Sequence, residues 1–429
     1  MNKWYKIEIV NKWYKNTKKE YKMNKINKLK FYIDSLCIYN IKNDEVIKKL
    51  YALLENAESS NVFRCYSEFF NALTRRGDSL SSYISSLILY DENAFSTAAA
   101  RGEAQTLSKA IIEGVKSDLE KLDEISKITP SDFINDDNAE ILSTLPKWET
   151  GEPEAELIGN LKKRVSALAK FYRQNGYGIY ARNCAFTWRN RELIPITSVD
   201  SVTLADLKNY ELQRKQVVEN TKAFLEGFPA NNVLLYGDRG TGKSSTVHAI
   251  LNEYKNRGLR IIEISKGDIC DLTLIRELIA DNPLKFIIFI DDLSFDKKED
   301  SLSQLKAALE GTLSKKEGNA LIYATSNRRH IVKENFTERD NDVHAADTIQ
   351  EELSLSDRFG LSVNFMNPDK KDFLEIVSKI AKDRNFDYDE DELLNGAEQW
   401  ARRKGGRSPR CAKQYIDYLE ASKKMVKNS

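Results

Sequence analysis

The chain of 429 residues is 41% hydrophobic, enough for about two or three domains with sizeable cores, which excludes a disordered protein. Its 66 Lys and Arg against 65 Asp and Glu leave a formal charge of +1, so no bulk field points to nucleic acid or a membrane surface, and such a partner has to be read from local patches. Cys37, Cys65, Cys184, Cys270 and Cys411 form no C-x-x-C pair, which speaks against a zinc site or disulfide framework and for small core residues; without an apolar run of transmembrane length or a secretory stretch, a cytoplasmic protein with no integral membrane segment is expected.

Residues 1–30 form a basic low-complexity tail, in which ten lysines meet only Glu8 and Glu20 and Asn-Lys-Trp-Tyr-Lys occurs twice. Interleaved lysines and aromatics suit a phosphate backbone or an anionic lipid surface; an unstructured extension, with Met23 as the true start, accounts for the same pattern. Residues 31–150 read as a helical domain. Val46, Ile47, Leu50, Leu53 and Leu54 follow an Asn43-Asp44-Glu45 start signal, and Phe63, Tyr66, Phe69, Phe70 and Leu73 repeat the spacing, as do Ile111, Ile112, Val115, Leu119 and Leu122. Such stripes form a core more often than a partner surface. Pro130, Pro146 and Pro153 mark a linker or loop over 131–154.

Residues 151–200 read as a connector beside the next domain: a helix over 154–174, Gly176-Tyr177-Gly178, and a hairpin of 179–188 and 193–196 about a turn at 189–191, with Pro195 indicating an edge strand. Beyond Val202 strands alternate with helices, the mark of a parallel α/β sheet covered on both faces. Strands are expected at 233–236, 260–264, 286–290, 320–324 and 361–364, giving a five-stranded core over 201–366. After Pro368 only helical patterning remains, so 367–429 is expected to be a helical subdomain.

Val233 to Ser244 reads as a buried strand entering GxxxxGKS and then a helix with Val247, Ile250, Leu251 and Tyr254 on one face. That is a cradle for a nucleotide's phosphates. Gly237, Gly240 and Gly242 permit positive φ and close approach, and with Asp238, Arg239 and Thr241 they would place backbone N–H groups around one anion. Lys243 would meet the β- and γ-phosphates, and the Ser244 hydroxyl, beside Ser245 at the helix start, would hold Mg²⁺. About fifty residues on, a fully apolar strand ends in Asp291-Asp292, where ligands of parallel sheets sit. Asp291 would hold the hydration shell of Mg²⁺ and Asp292 would orient or deprotonate water. Alone, such a strand end is also a common turn. His248, His330 and His344 are too separated to suggest a metal site or a triad.

On these residues the region from Val202 to Leu419 resembles an AAA+ ATPase module with a C-terminal helical lid. More narrowly, it resembles an uncharacterised bacterial family of AAA+ ATPases known only as a domain of unknown function. The narrower likeness rests on Pro229-Ala230-Asn231-Asn232 and the strand after it, Asp291-Asp292-Leu293-Ser294-Phe295, and Ala324-Thr325-Ser326-Asn327-Arg328-Arg329-His330. Gly176 to Ile179 and Ala185-Phe186 extend it upstream, over a little more than half the chain. The resemblance implies ATP and Mg²⁺ as cofactors and a homo-oligomer. It implies that Asn327 is the polar sensor between the two motifs, although Thr325-Ser326-Asn327 also suits a strand-ending turn. By the same likeness Arg358 is a finger reaching a neighbouring subunit, with a helix C-terminal arginine as the plain alternative. Arg410 matches the lid sensor, with Arg407 competing, and Leu207 and Tyr210 fall where adenine packs or where a core would need them. Asp292 stands where most AAA+ ATPases carry glutamate, which leaves the turnover rate open.

Three functions are compatible with this pattern. The first is an ATP-hydrolysing AAA+ enzyme that remodels an unknown protein or other macromolecular partner. A nucleotide-gated adaptor that scarcely hydrolyses is the second. The third is DNA-associated work of the helicase-loader kind, which rests on fold analogy and the basic tail.

Overall fold

A computed structural model describes residues 24–77, 79–134, 139–294, 300–310, 318–327, 357–386 and 388–427, and the chain divides into two units, Met1–Arg182 and Asn183–Ser429. Residues 1–23 of the basic tail, Phe295, and Arg328 to His330 with His344 lie outside the described residues. Among the described residues no helix is long and apolar enough to cross a membrane.

In the first unit the periodic stripes become core. Asp44 caps the helix Glu45–Glu55 by accepting from the N–H groups of Val46 and Ile47, and Val46, Ile47, Leu50, Leu53 and Leu54 are all buried. Tyr66, Phe69 and Leu73 of Val62–Thr74 and Val115, Leu119 and Leu122 of Lys109–Ser126 are buried as well. Phe63, Phe70, Ile111 and Ile112 remain half-buried.

The proline-marked stretch is no free linker. Trp148 is buried against Tyr66, Phe69 and Phe133, and its indole N–H donates to the Ile128 carbonyl at 3.0 Å. The carbonyls of Pro146, Glu149 and Thr150 accept from Tyr66 Oη and from the N–H groups of Leu80 and Ser81. One aromatic anchor and backbone pairing outweigh the loop composition. The helix expected over 154–174 is observed as Leu161–Asn175, capped by Asn160, after a short turn at Ala155–Leu157.

Asp118, fully buried, ties the entry of the chain to this bundle. Its Oδ2 accepts from the N–H groups of Cys37, Ile38 and Tyr39 at 2.9, 2.7 and 3.2 Å. Asp118→Ala would orphan these donors, so the unfolding free energy should fall by about 3 kcal/mol. A denaturation midpoint equal to that of the wild type would contradict this.

Among the described residues the second unit is built on a seven-stranded sheet ordered β2-β1-β4-β5-β6-β3-β7. The strands are β1 (Ala185–Arg189), β2 (Glu192–Pro195), β3 (Val233–Gly237), β4 (Leu259–Ile264), β5 (Lys285–Ile290), β6 (Ala320–Ser326) and β7 (Leu361–Phe365). The five expected strands are the contiguous parallel block β4 to β7. The hairpin extends the same sheet: β1 pairs parallel with β4, and β2, carrying Pro195, closes the edge antiparallel. Its turn uses positive φ at Asn190 and Arg191. The connector expected over 151–200 is therefore divided, with its helix in the first unit and its hairpin in the second. Residues 178–182 form a short helix, not the first half of a strand.

Of the five cysteines, Cys65 and Cys411 are buried as core residues, whereas Cys37 and Cys270 are exposed. C-terminal to β7, the helices Lys370–Asp383, Glu390–Lys404 and Pro409–Lys427 close around Phe373, Ile376, Val377, Ala397, Ala412 and Ile416.

Candidate functional site

The phosphate loop begins where β3 runs between β6 and β7. Gly237 has φ of 128°, and a Cβ there would stand 2.2 Å from the Phe365 carbonyl oxygen, so no other residue fits beside β7. The Asp238 N–H donates to that carbonyl at 2.9 Å. Thr241 Oγ1 closes the loop onto the Asp238 carbonyl, and Gly242, at φ of 94° with open space where a Cβ would be, caps the helix Lys243–Tyr254. The N-terminus of that helix faces a cleft of about 1100 Å³, large for a small-molecule site and ample for a nucleotide.

Lys243 is 6% exposed, and its Nζ donates to the carbonyls of Gly237 and Asp238 at 2.9 and 2.6 Å and to Asn327 Oδ1 at 3.4 Å. Burial lowers its pKa, and Asp238, Asp291 and Asp292 oppose that shift. A desolvated ammonium at a helix N-terminus is matched to a polyanion.

At the end of β5, Asp291 Oδ1 accepts from Ser244 Oγ at 2.6 Å and from Thr325 Oγ1 at 2.5 Å. Asp292 sits at φ of 51°, a left-handed conformation unusual outside glycine, and its Oδ1 accepts from Asn327 Nδ2 at 2.5 Å. Three strand ends thus bring Lys243, Ser244, Asp291, Asp292 and Asn327 together.

The helical subdomain forms the facing wall. The Arg410 N–H donates to the Gly240 carbonyl at 3.1 Å, and a Cβ on Gly240 would stand 3.0 Å from Ser408 Oγ and 3.1 Å from the Arg410 Cβ. Arg410 lines the cleft. Arg407 turns away and pairs with Glu398 through two bonds of 2.8 and 3.0 Å, which lower the Glu398 pKa.

Leu207 and Tyr210 also line the cleft, and Tyr210 is core as well: its ring lies 5.2 Å from that of Phe365 and its hydroxyl donates to the Met366 carbonyl at 2.6 Å. Burial raises the Tyr210 pKa. Arg239, Thr241 and Ser245 line the cleft, whereas Gly237 and Asp238 are not among its lining residues; the Asp238 carboxylate accepts from the Asn367 N–H at 2.7 Å. Arg358, half-buried just ahead of β7, is not part of the cleft wall. Thr325 stands in the sequence only as part of the Ala324 to His330 likeness and of a strand-ending turn, with no role of its own, and the cleft residues Lys413, Gln414 and Asp417 read as plain helix surface.

The loop, the paired carboxylates and the β7-β3-β6-β5-β4 strand order define a P-loop nucleotide-binding module of the AAA+ class. The chain belongs to the family described as "Protein of unknown function (DUF815)", whose model matches residues 181–423. A stretch of 66 residues is 39% identical to the Replication factor C large subunit of Staphylothermus marinus, covering 15% of each chain. Another of 157 residues is 32% identical to the Probable mitochondrial chaperone BCS1-A of Dictyostelium discoideum, covering 30% of this chain and 35% of the relative. The chain thus spans well under half the length of both curated relatives. Among solved structures, the RuvB Holliday junction branch migration motor of Thermotoga maritima is similar at 16% identity and a TM-score of 0.37, over 53% of this chain and 66% of that one. So loose a likeness bears on neither activity nor partner.

The two lid arginines should separate by experiment. Arg410→Ala should weaken nucleotide affinity at little cost in thermal stability, and Arg407→Ala should lower the melting temperature and leave affinity near that of the wild type. Calorimetric titration and thermal unfolding of both variants would show the opposite pattern if the assignment were inverted.

Proposed function

We propose that the second unit binds Mg·ATP between the sheet and the helical lid and hydrolyses it, and that the cycle remodels a macromolecular partner. The observation that carries this reading is the convergence of Lys243, Ser244, Asp291, Asp292, Asn327 and Arg410 on one cleft. One hydroxyl and one carboxylate, Ser244 and Asp291, suit a cation that keeps phosphate oxygens and water in its shell. When bound, Mg²⁺ neutralises charge that develops on the transferring phosphoryl group.

The chain's own residues supply the rest. The loop amides and Lys243 hold the β- and γ-phosphates, and Leu207 and Tyr210 pack the base. Asp292 accepts a proton from the attacking water or orients it. Asn327, which both donates and accepts, holds that water against the γ-phosphate. Arg410 brings the lid's positive charge to the same oxygens. Its backbone bond to Gly240 couples lid position to the loop. The same reading makes the protein a cytoplasmic homo-oligomer acting on a protein partner, with Arg358 completing a neighbouring site; the AAA+ likeness supports the oligomer.

Lys243→Ala should abolish Mg·ATP binding. Asp292→Asn should keep binding and slow phosphate release by about 10²- to 10⁴-fold. Equal release by the wild type and both variants would sink the reading. Arg358→Ala should bind ATP normally yet lose turnover in the oligomer; unchanged turnover would remove Arg358 from the mechanism.

A second reading, a nucleotide-gated adaptor that presents the helical first unit, is favoured by the engagement of the Asp292 carboxylate with Asn327. Wild-type turnover above about one per minute counts against it.

A further inference from the structure

β5 and β6 run in register up to the pair Ile290 and Ala324, after which β5 ends while β6 continues to Ser326. Beyond that point Thr325 takes over the role of the ladder. Its Oγ1 accepts from the Asp292 N–H at 2.9 Å and its carbonyl accepts from the Leu293 N–H at 2.7 Å. The peptide groups on both sides of Asp292 are therefore tied to one residue, which holds Asp292 in its left-handed conformation.

The hydroxyl hydrogen is committed. A backbone N–H can only donate, so the Thr325 oxygen receives the Asp292 N–H, and its one hydroxyl hydrogen points to the carboxylate oxygen Asp291 Oδ1 at 2.5 Å. The same Asp291 oxygen accepts from Ser244. Thr325 is 2% exposed, so its end of these bonds is shielded from water, while Asp291 and Asp292 stand exposed at the cleft.

We infer that Thr325 is a positioning residue for hydrolysis, fixing the Asp292 carboxylate through the backbone and the Asp291 carboxylate through its hydroxyl. This rests on the ATPase reading above. Its β-branched side chain suits the task, because χ1 is restricted before any ligand arrives. Neither the phosphate-loop pattern nor the Asp-Asp strand end assigns this residue a part in the chemistry.

The test compares Thr325→Val, which keeps shape and loses the hydroxyl, with Thr325→Ser, which keeps the hydroxyl and loses a methyl group. Phosphate release by the valine variant should fall by about ten- to a hundredfold while the serine variant stays within about threefold of wild type. The stoichiometry of binding a fluorescent ATP analogue should be the same for all three proteins, showing that the loss is not a loss of folded sites. A packing role predicts the reverse order, serine worse than valine, and that result, or wild-type turnover in the valine variant, overturns the inference. Should the valine protein not fold, Thr325→Ser and Thr325→Ala differ by the hydroxyl alone, and equal turnover of these two overturns it as well. A wild type that releases no phosphate at all defeats the ATPase reading, and this inference falls with it.

Discussion

The cleft depends on the approach of β3 to β7 at Gly237. There the phosphate loop leaves the sheet one strand in from its edge, and the Phe365 carbonyl occupies the space a side chain would need while accepting the Asp238 N–H. That contact sets where the Gly237 and Asp238 carbonyls point, and these hold the Lys243 ammonium at 2.9 and 2.6 Å. Any shift of β7 would move the lysine, and with it Asn327 and the carboxylates beyond. A packed sheet resists such motion, because interiors at crystal-like density deform little.

The cleft's polar groups are also balanced among themselves. Lys243 reaches Asn327, Asn327 reaches Asp292, and Ser244 and Thr325 share Asp291. Lys243, Ser244, Asp291, Asp292 and Asn327 each already hold a side-chain hydrogen bond inside the protein. Folding has already stripped Lys243 and Thr325 of water, whereas Asp291, Asp292 and Arg410 are exposed, so the site is preorganised in the placement of its groups and not in their desolvation.

Much of this was legible in the sequence because the central strands are continuous apolar runs and the loop is a dense pattern of glycines. The strand at 286–290 and the loop at 237–244 could be placed to within a residue. The hairpin was legible as a hairpin but not as part of the sheet, since β1 pairs with β4 more than seventy residues away and no local pattern encodes that partner. Residues 178–182 carry the aromatic and apolar composition of a strand yet form a helical turn, and Trp148 draws a proline-marked loop into a core; both are tertiary effects. The choice between Arg407 and Arg410 turns on Glu398, nine residues before Arg407 on the preceding helix.

The residues of the narrower family likeness divide by role once they are placed. Asn231 exchanges two bonds with Asn220 of the helix Glu211–Leu225, tying that helix to the start of β3, and Asn232 Oδ1 accepts the Ile322 N–H, extending the ladder between β3 and β6. These are features of sheet construction, and they say nothing about a substrate. Asp292 belongs to the other group. Aspartate tolerates the left-handed region better than longer side chains because its short polar group can bond locally. The aspartate at 292 and the φ of 51° are then one choice: backbone and side chain are matched, with Thr325 fixing the first and Asn327 receiving the second. In this site the shorter carboxylate is fitted to its backbone, and what it does to catalysis has to be judged together with the turn that carries it.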